Sequence, residues 1–306
     1  MKIALVGAGA VGAYYIYKFA GLDEEVLRSR EFTVIAEGER KERLIRDGVT
    51  INDKVYHPTV KTGKEAGIQD IIIVATKSTG IKEAAKMLPD MVGEDTLVMS
   101  MLNGADSEEI IAEVIGKEHV LHSVIVISSR RHDGGVTFDP EYGATVTYGA
   151  YNLTDAEAKL NRVKEAFDNT GIKMVRSDNI MYDIWFKYAR NICNNLPQAV
   201  VKAPSGMYKR SEHGLFIASK MWDEVWQIAA LKGVTLPKEV QFYPDGDYSR
   251  YSTLQDIDSK RHTEADSLCG YVLDIAKKEG LELPYIEYTY HAIKVLEEQN
   301  DGLFER

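Results

Sequence analysis

The feature that most constrains this chain is Gly7-Ala8-Gly9-Ala10-Val11-Gly12, which directly follows the apolar run Ile3-Ala4-Leu5-Val6 and opens a stretch of helical character. Out of context, three glycines at this spacing say little. Between a strand and a helix each has its own job. Gly7 permits the tight turn, Gly9 lets the backbone approach a pyrophosphate, and Gly12 lets helix and strand pack closely, with the helix N-terminus facing the anion. Strand, glycines and helix agree, so residues 7–12 read as a dinucleotide-binding turn rather than a ligand-free glycine loop.

The rest of the first half continues this style. Short β-branched runs at residues 3–6, 32–36, 71–75, 97–102 and 120–127 alternate with helical stretches. Such unbroken runs suit strands buried on both faces of a parallel sheet. Ile81, Ala84, Ala85 and Leu88 fall at helical spacing, as do Ile110, Ile111, Val114 and Ile115, with Asp106 and Glu109 as a start signal. Short strands are expected around Val136, residues 144–148 and residues 173–175, enclosing a helix over 155–168. From Asp178 onward the pattern is nearly all helical, with breaks at Pro197, Pro204-Ser205-Gly206, Gly233, Pro237, Tyr243 to Gly246 and Gly280 to Pro284. The expected architecture is α/β: a Rossmann-type parallel-sheet domain over residues 1–177, followed by an all-helical domain over 178–306. A length of 306 residues with 44% hydrophobic side chains fits two such domains.

Charge and cysteine usage exclude several classes. The formal charge is -10, from 37 basic and 47 acidic side chains, which opposes binding to nucleic acid or to an anionic membrane surface. Cys193 and Cys269 are too few for a disulfide framework or a cysteine-ligated metal site, and a reducing cytoplasm is the expected setting. The first apolar stretch is strand-sized rather than a signal peptide, and no run approaches the roughly 20 residues of a membrane span.

Ligands of open parallel sheets lie beyond the carboxyl ends of the strands, so the residues there are candidates. After the second strand comes Ala36-Glu37-Gly38-Glu39-Arg40. Glu37 suits the ribose hydroxyls of NAD and repels a 2′-phosphate, whereas Arg40, Lys41 and Arg43 offer cations to that phosphate. All four also fit solvated charges at a helix start. Thr76-Lys77 and Asn103-Gly104 end two further strands. Their plainer explanations are an exposed lysine and an Asn-Gly turn.

The second half carries the sharper pattern. Lys187, Asn191 and Asn195 recur every fourth position among Ile184, Tyr188, Ile192 and Leu196, laying an ammonium and two amides along one face of a mostly apolar helix. Buried polar groups need partners, so the row calls for a ligand or for contacts with neighbouring helices. Further on stand Ser252-Thr253-Leu254-Gln255-Asp256 and Arg261-His262-Thr263-Glu264-Ala265-Asp266. There Thr263 reads as an N-cap, Asp266 takes the capping-box position, and Glu264 fits a helix starter as well as a functional carboxylate. His262 reads as structural or surface, and no Gly-x-Ser-x-Gly elbow is present.

Taken in order, these residues resemble the ketopantoate reductases (2-dehydropantoate 2-reductases). The resemblance runs over nearly the whole chain and rests on the glycine turn, Lys77, Asn103-Gly104, the Lys187/Asn191/Asn195 helix, Ser252-x-Leu-Gln-Asp and Arg261-x-Thr-Glu-x-Asp. It implies Lys187 as general acid and Glu264 as the carboxylate that binds substrate and holds that lysine. It also implies Asn103, Asn191, Asn195 and Ser252 in contact with substrate or cofactor, and Lys77 near the adenosine phosphate or the site entrance. The sequence departs from the family at Glu37, where many members carry an arginine for the 2′-phosphate, at Gly80, and at Ser205 and Ser249, where asparagine is common. On balance NADP(H) is favoured, with NAD(H) usable.

The implied chemistry is hydride transfer to the C2 carbonyl of a 2-oxo acid, with Lys187 protonating the oxygen, in a cleft between the domains. Burial lowers a lysine below its free value of about 10.4, while a charged Glu264 opposes that shift. Alternatives are a same-fold reductase of another 2-oxo acid and a non-catalytic nicotinamide-nucleotide sensor. The partner is a small-molecule 2-oxo acid, and the chain is a monomer or homodimer: the face bearing Met221, Trp222, Val225 and Trp226 fits either a dimer interface or core.

Overall fold

The computed structural model describes residues 1–132, 134–141, 143–244 and 246–304. The described strands are β1 (Lys2–Val6), β2 (Glu31–Ile35), β3 (Val49–Ile51), β4 (Lys54–Tyr56), β5 (Val60–Lys61), β6 (Ile71–Val74), β7 (Leu97–Ser100), β8 (His122–Ile127), β9 (Ser129–His132), β10 (Gly135–Phe138), β11 (Ala144–Gly149) and β12 (Lys173–Arg176). The central sheet runs β5-β2-β1-β6-β7 with every neighbour parallel. Consecutive residues of β1 and β6 feed opposite faces: Ile3, Leu5, Ile71 and Ile73 pack with Tyr15 and Ile16, while Ala4, Val6, Ile72 and Val74 pack with Ala84, Leu88 and Ile111. Both faces are covered, so the strands need apolar residues at every position.

The strand order reverses direction at β1, which has β2 on one side and β6 on the other, so the crevice for a ligand opens beyond the ends of β1 and β6. Smaller sheets, β12-β11-β8 and β4-β3-β10-β9, complete this part. The short strands β3, β4, β5 and β9 are absent from the sequence-based expectation, because two to four residues are too few for a periodic pattern to be read.

The chain divides into two compact units. The first holds Met1–Leu102 and Asp106–Ile180, the second Asn103–Ala105 and Met181–Arg306. The second unit is helical, with its longest helices at Glu212–Leu231, Ala265–Glu279 and Pro284–Asn300. Met221, Trp222 and Val225 are fully buried within this unit, so these three serve as core, while Trp226 is only partly buried. No helix among the described residues is long and apolar enough to cross a membrane.

Pro197 does not break the chain as its residue type suggests. The helix Ile180–Arg190 passes into a π-turn at Asn191–Asn195 and resumes as Leu196–Val201, with Pro197 in its first turn. Proline has no N–H to donate and its ring crowds the carbonyl four residues back, so the ladder widens there instead of ending. Such turns are common at functional sites. Thr263 keeps part of its expected role: the helix runs from Ala265, whose N–H donates to the Thr263 Oγ1 at 3.1 Å, but the Thr263 N–H goes to Glu297 rather than to Asp266, so no capping box forms. The Thr263 Oγ1 donates to Glu297 at 2.7 Å, and Asp266 accepts from Tyr290 and Lys294.

Candidate active site

The glycine turn takes its shape from close approaches. Gly7 sits at φ 107°, and a Cβ there would lie 2.6 Å from the Ala75 carbonyl oxygen. A Cβ on Gly12 would lie 2.0 Å from the Gly7 carbonyl oxygen, so only glycine lets the helix Ala10–Ala20 begin against β1. Ala8, Ala10 and Val11 pack partly buried on the core below. Gly7 and Gly9 open onto a cavity of about 950 Å³ that also takes in Ala36, Glu37, Arg40, Thr76 and Lys77, and its size and its glycine floor fit a dinucleotide.

The charges around this cavity sort into paired and unpaired. Lys41, one of three candidate cations after β2, is drawn off by Glu65 at 2.5 Å, and that contact together with the Thr62 backbone holds the Glu65 carboxyl down to about 2. Lys86 is likewise taken by Glu83 at 2.6 Å. The Glu37 carboxylate accepts from the Gly63 backbone N–H at 3.2 Å. Arg40, Arg43, Lys64, Lys77 and Arg131 line the cavity and have no carboxylate partner among the described residues. Partial enclosure lowers Arg40 from its usual value, and the neighbouring Arg43 and Arg131 add to that shift. Arg131 stands on β9, and sequence reasoning missed it along with that strand; its one signal is the Arg130-Arg131 pair just past the run 120–127.

In the helical unit, residues far apart in sequence form one connected chain of polar contacts. Lys187 Nζ donates to Asn103 Oδ1 at 2.9 Å, and Asn103 Nδ2 donates to Glu264 Oε2 at 2.8 Å. The amide therefore presents its oxygen to the ammonium and its N–H to the carboxylate, the one orientation that serves both charges. Glu264 precedes the helix Ala265–Glu279 but caps nothing with its side chain, which is spent on Asn103. Asn191 and Asn195 are buried on the π-turn. Asn191 Oδ1 accepts from Tyr243 Oη at 2.8 Å and from Asn195 Nδ2 at 3.4 Å, and Asn195 Nδ2 also reaches Ser252 Oγ at 3.4 Å. Asn195 Oδ1 is buried with no partner. The sequence marked Tyr243 only as the start of a break in the helical pattern, not as a site residue, since it lies in an irregular stretch without periodicity.

Ser205 is tied through its side chain, and Ser249 through its backbone. Ser205 Oγ donates to the Gly246 carbonyl at 2.6 Å and accepts from the Ser249 N–H at 3.1 Å, while Ser205 N–H donates to the Ser249 carbonyl at 3.0 Å. His262 pairs with Glu297 and Asp301 at the surface.

A parallel sheet with a glycine turn at its switch point, together with a lysine–amide–carboxylate chain in a helical unit, defines the class of two-part dinucleotide-dependent oxidoreductases. The family model "Ketopantoate reductase PanE/ApbA" matches residues 3–153, and its C-terminal counterpart matches residues 179–297. The chain belongs to the ketopantoate reductase family and is a nicotinamide-dependent oxidoreductase. It is 26% identical to the 2-dehydropantoate 2-reductase of Nostoc sp. over 98% of this chain and 96% of that one. It is 28% identical to the 2-dehydropantoate 2-reductase of Pyrococcus horikoshii over 99% of each. The fold is similar to that of D-mandelate dehydrogenase, solved with NADH and anilino(oxo)acetate, with a TM-score of 0.82 at 22% identity over 98% of this chain and 99% of that one.

Proposed function

We propose that the chain is a 2-dehydropantoate 2-reductase, reducing ketopantoate to pantoate with NADP(H) favoured and NAD(H) usable. The observation that carries this reading is the Lys187–Asn103–Glu264 chain of contacts. The nicotinamide supplies a hydride to the C2 carbonyl carbon. Lys187 donates the proton from Nζ to the carbonyl oxygen as negative charge develops there. Asn103 holds the ammonium in place and passes the influence of Glu264 to it. Asn191, Asn195 and Ser252 bind the substrate, and Tyr243 fixes the Asn191 amide through its Oδ1, leaving Nδ2 to face the ligand. The glycine turn takes the pyrophosphate, and Glu37, Arg40 and Lys77 surround the adenosine end. Support for NADP(H) comes from Arg40, Arg43 and Arg131, which have no carboxylate of their own among the described residues, and from Glu37 being tied to Gly63.

A second substrate reading draws on Ser205 and Ser249. Both hydrogen-bond the 246–249 loop where related chains often carry asparagine, and the similar D-mandelate dehydrogenase was solved with a phenyl-bearing oxo acid analogue. Another branched or aromatic 2-oxo acid then replaces ketopantoate with the same chemistry. The test is a spectrophotometric assay of ketopantoate, 2-oxoisovalerate and phenylglyoxylate, each with NADPH and NADH. The expected result is the highest kcat/KM for ketopantoate with NADPH. Preference for another acid moves the assignment to the second reading, and cofactor binding without turnover of any acid restores the sensor alternative.

A further inference from the structure

The arginines of the helical unit differ in how their charges are met. Arg210 holds Asp247 at 2.5 Å, Arg261 holds Asp256 at 2.8 Å, and Arg250 is paired with Asp258. Arg190 has no carboxylate among the described residues, and its Nε is buried without an acceptor. An arginine cannot shed its proton to escape this situation, so a buried, unmatched guanidinium N–H is a standing cost unless an anion arrives.

Its surroundings say where such an anion would sit. The Arg190 guanidinium lies over the Tyr243 ring at 3.8 Å and over the Phe186 ring at 5.3 Å. Stacking on an aromatic face fixes the plane of the guanidinium and leaves its in-plane N–H edge free to donate. The same Tyr243 donates its hydroxyl to Asn191 Oδ1, so a single ring joins Arg190 to the row of Lys187, Asn191 and Asn195. Within that row the charge of Lys187 is already matched, through Asn103, by Glu264. A 2-oxo acid brings a second requirement besides protonation of its ketone: its own carboxylate needs a cation or several N–H donors.

We infer that Arg190 is the residue that recognises the substrate carboxylate, held flat on Tyr243 so that its free N–H edge meets the acid group while Lys187 serves the ketone oxygen. The division of labour follows from charge. Lys187 balanced by Glu264 suits a carbonyl that becomes anionic only as the reaction proceeds, and unbalanced Arg190 suits a group that is anionic throughout. The inference rests on the reading of the chain as a 2-oxo acid reductase.

The test compares ketopantoate with its neutral lactone, ketopantolactone, in the parent, in Arg190→Gln and in Arg190→Lys, with thermal unfolding recorded for each. The parent should prefer the acid. Arg190→Gln should lose about 10- to 10²-fold in kcat/KM on the acid, mostly through KM, while the lactone stays within a few-fold, so the preference collapses. Arg190→Lys should recover part of it by restoring charge without the fork. Equal losses on acid and lactone would make Arg190 a packing residue and overturn the inference, as would an unchanged acid preference in Arg190→Gln. A parent that reduces no 2-oxo acid strikes the underlying reading itself, whereas a parent that does so beside an unaffected variant strikes this inference alone.

Discussion

The first unit shapes its cavity mainly with backbone: Gly7 and Gly12 are held by approaches of 2.6 and 2.0 Å that no side chain survives, and Gly9 lies open to the cavity. The helical unit offers side chains instead, with Lys187, Asn103 and Glu264 drawn together across sequence separations of 84 and 161 residues. Buried carboxylates do not follow that division. In the helical unit Glu224 accepts from the Tyr285 and Ile286 N–H groups at 2.9 and 2.8 Å, at the start of the helix Pro284–Asn300. Burial raises Glu224, and those two donors oppose the rise. Burial would also raise Glu297, but Lys294 and Thr263 hold it below the usual carboxylate range. In the cofactor unit the Glu108 carboxylate accepts from the Ser107 hydroxyl at 2.8 Å and from the backbone of Glu108 and Ser123, and burial still pushes it up to about 7. In the helical unit Arg190 stays without a carboxylate among the described residues, and in the first unit Glu108 is raised far enough to hold a proton near neutral pH.

That contrast makes the largest expected stability effect a property of the cofactor unit. Glu108 has a folded value near 7 against an ordinary value of 4.5, so the folded state binds its proton more tightly than the unfolded chain does. Its contribution is complete below about pH 4.5 and is lost as pH rises through about 7, in total on the order of 3 kcal/mol. Denaturant unfolding at about pH 5 and 8 should show this loss in the parent and not in Glu108→Gln. Parallel pH dependence in the two proteins would remove Glu108 from the account.

The same contrast explains what the sequence alone disclosed. The glycine turn, β1, β6 and β7 are local patterns, and local patterns read directly as strand, turn and helix. The Lys187/Asn191/Asn195 row was legible as a row, but its partners were not, because nothing in the spacing ties residue 187 to 103 or 264. The family resemblance implied the tie to Glu264, and the structure supplied Asn103 as the residue between them. The π-turn escaped notice since Pro197 signals a break and the helix absorbs it. Arg131 and Tyr243 lay on a four-residue strand and in an irregular stretch, where periodicity has nothing to report.

A second prediction sharpens the helical side. Glu264→Gln keeps the shape but removes the charge that Asn103 transmits to Lys187. It should cost about 10- to 10²-fold in kcat/KM, the scale of a charge-assisted hydrogen bond, with a stability change of only a few tenths of a kcal/mol. Unaltered kinetics would reduce Glu264 to a helix starter. A third, smaller effect belongs to the cofactor side. Glu37→Arg gives up the Gly63 contact and adds a cation at the end of β2. It should shift kcat/KM and the Kd ratio of the two cofactors towards NADPH by roughly tenfold, about 1.4 kcal/mol. An unchanged ratio would leave the discrimination to Lys77 and to Arg40, Arg43 and Arg131.

Lys187→Ala offers the most direct test of the proton-donor assignment, with single-turnover oxidation of NADPH by ketopantoate followed alongside cofactor affinity by fluorescence titration. The side chain donates to Asn103 and lies outside the glycine turn, so cofactor affinity should match the parent. Hydride transfer should fall about 10²- to 10⁴-fold, the contribution of a positioned general acid. Transfer within a few-fold of the parent at full cofactor affinity would contradict the assignment of Lys187 and with it the division of labour between the two units.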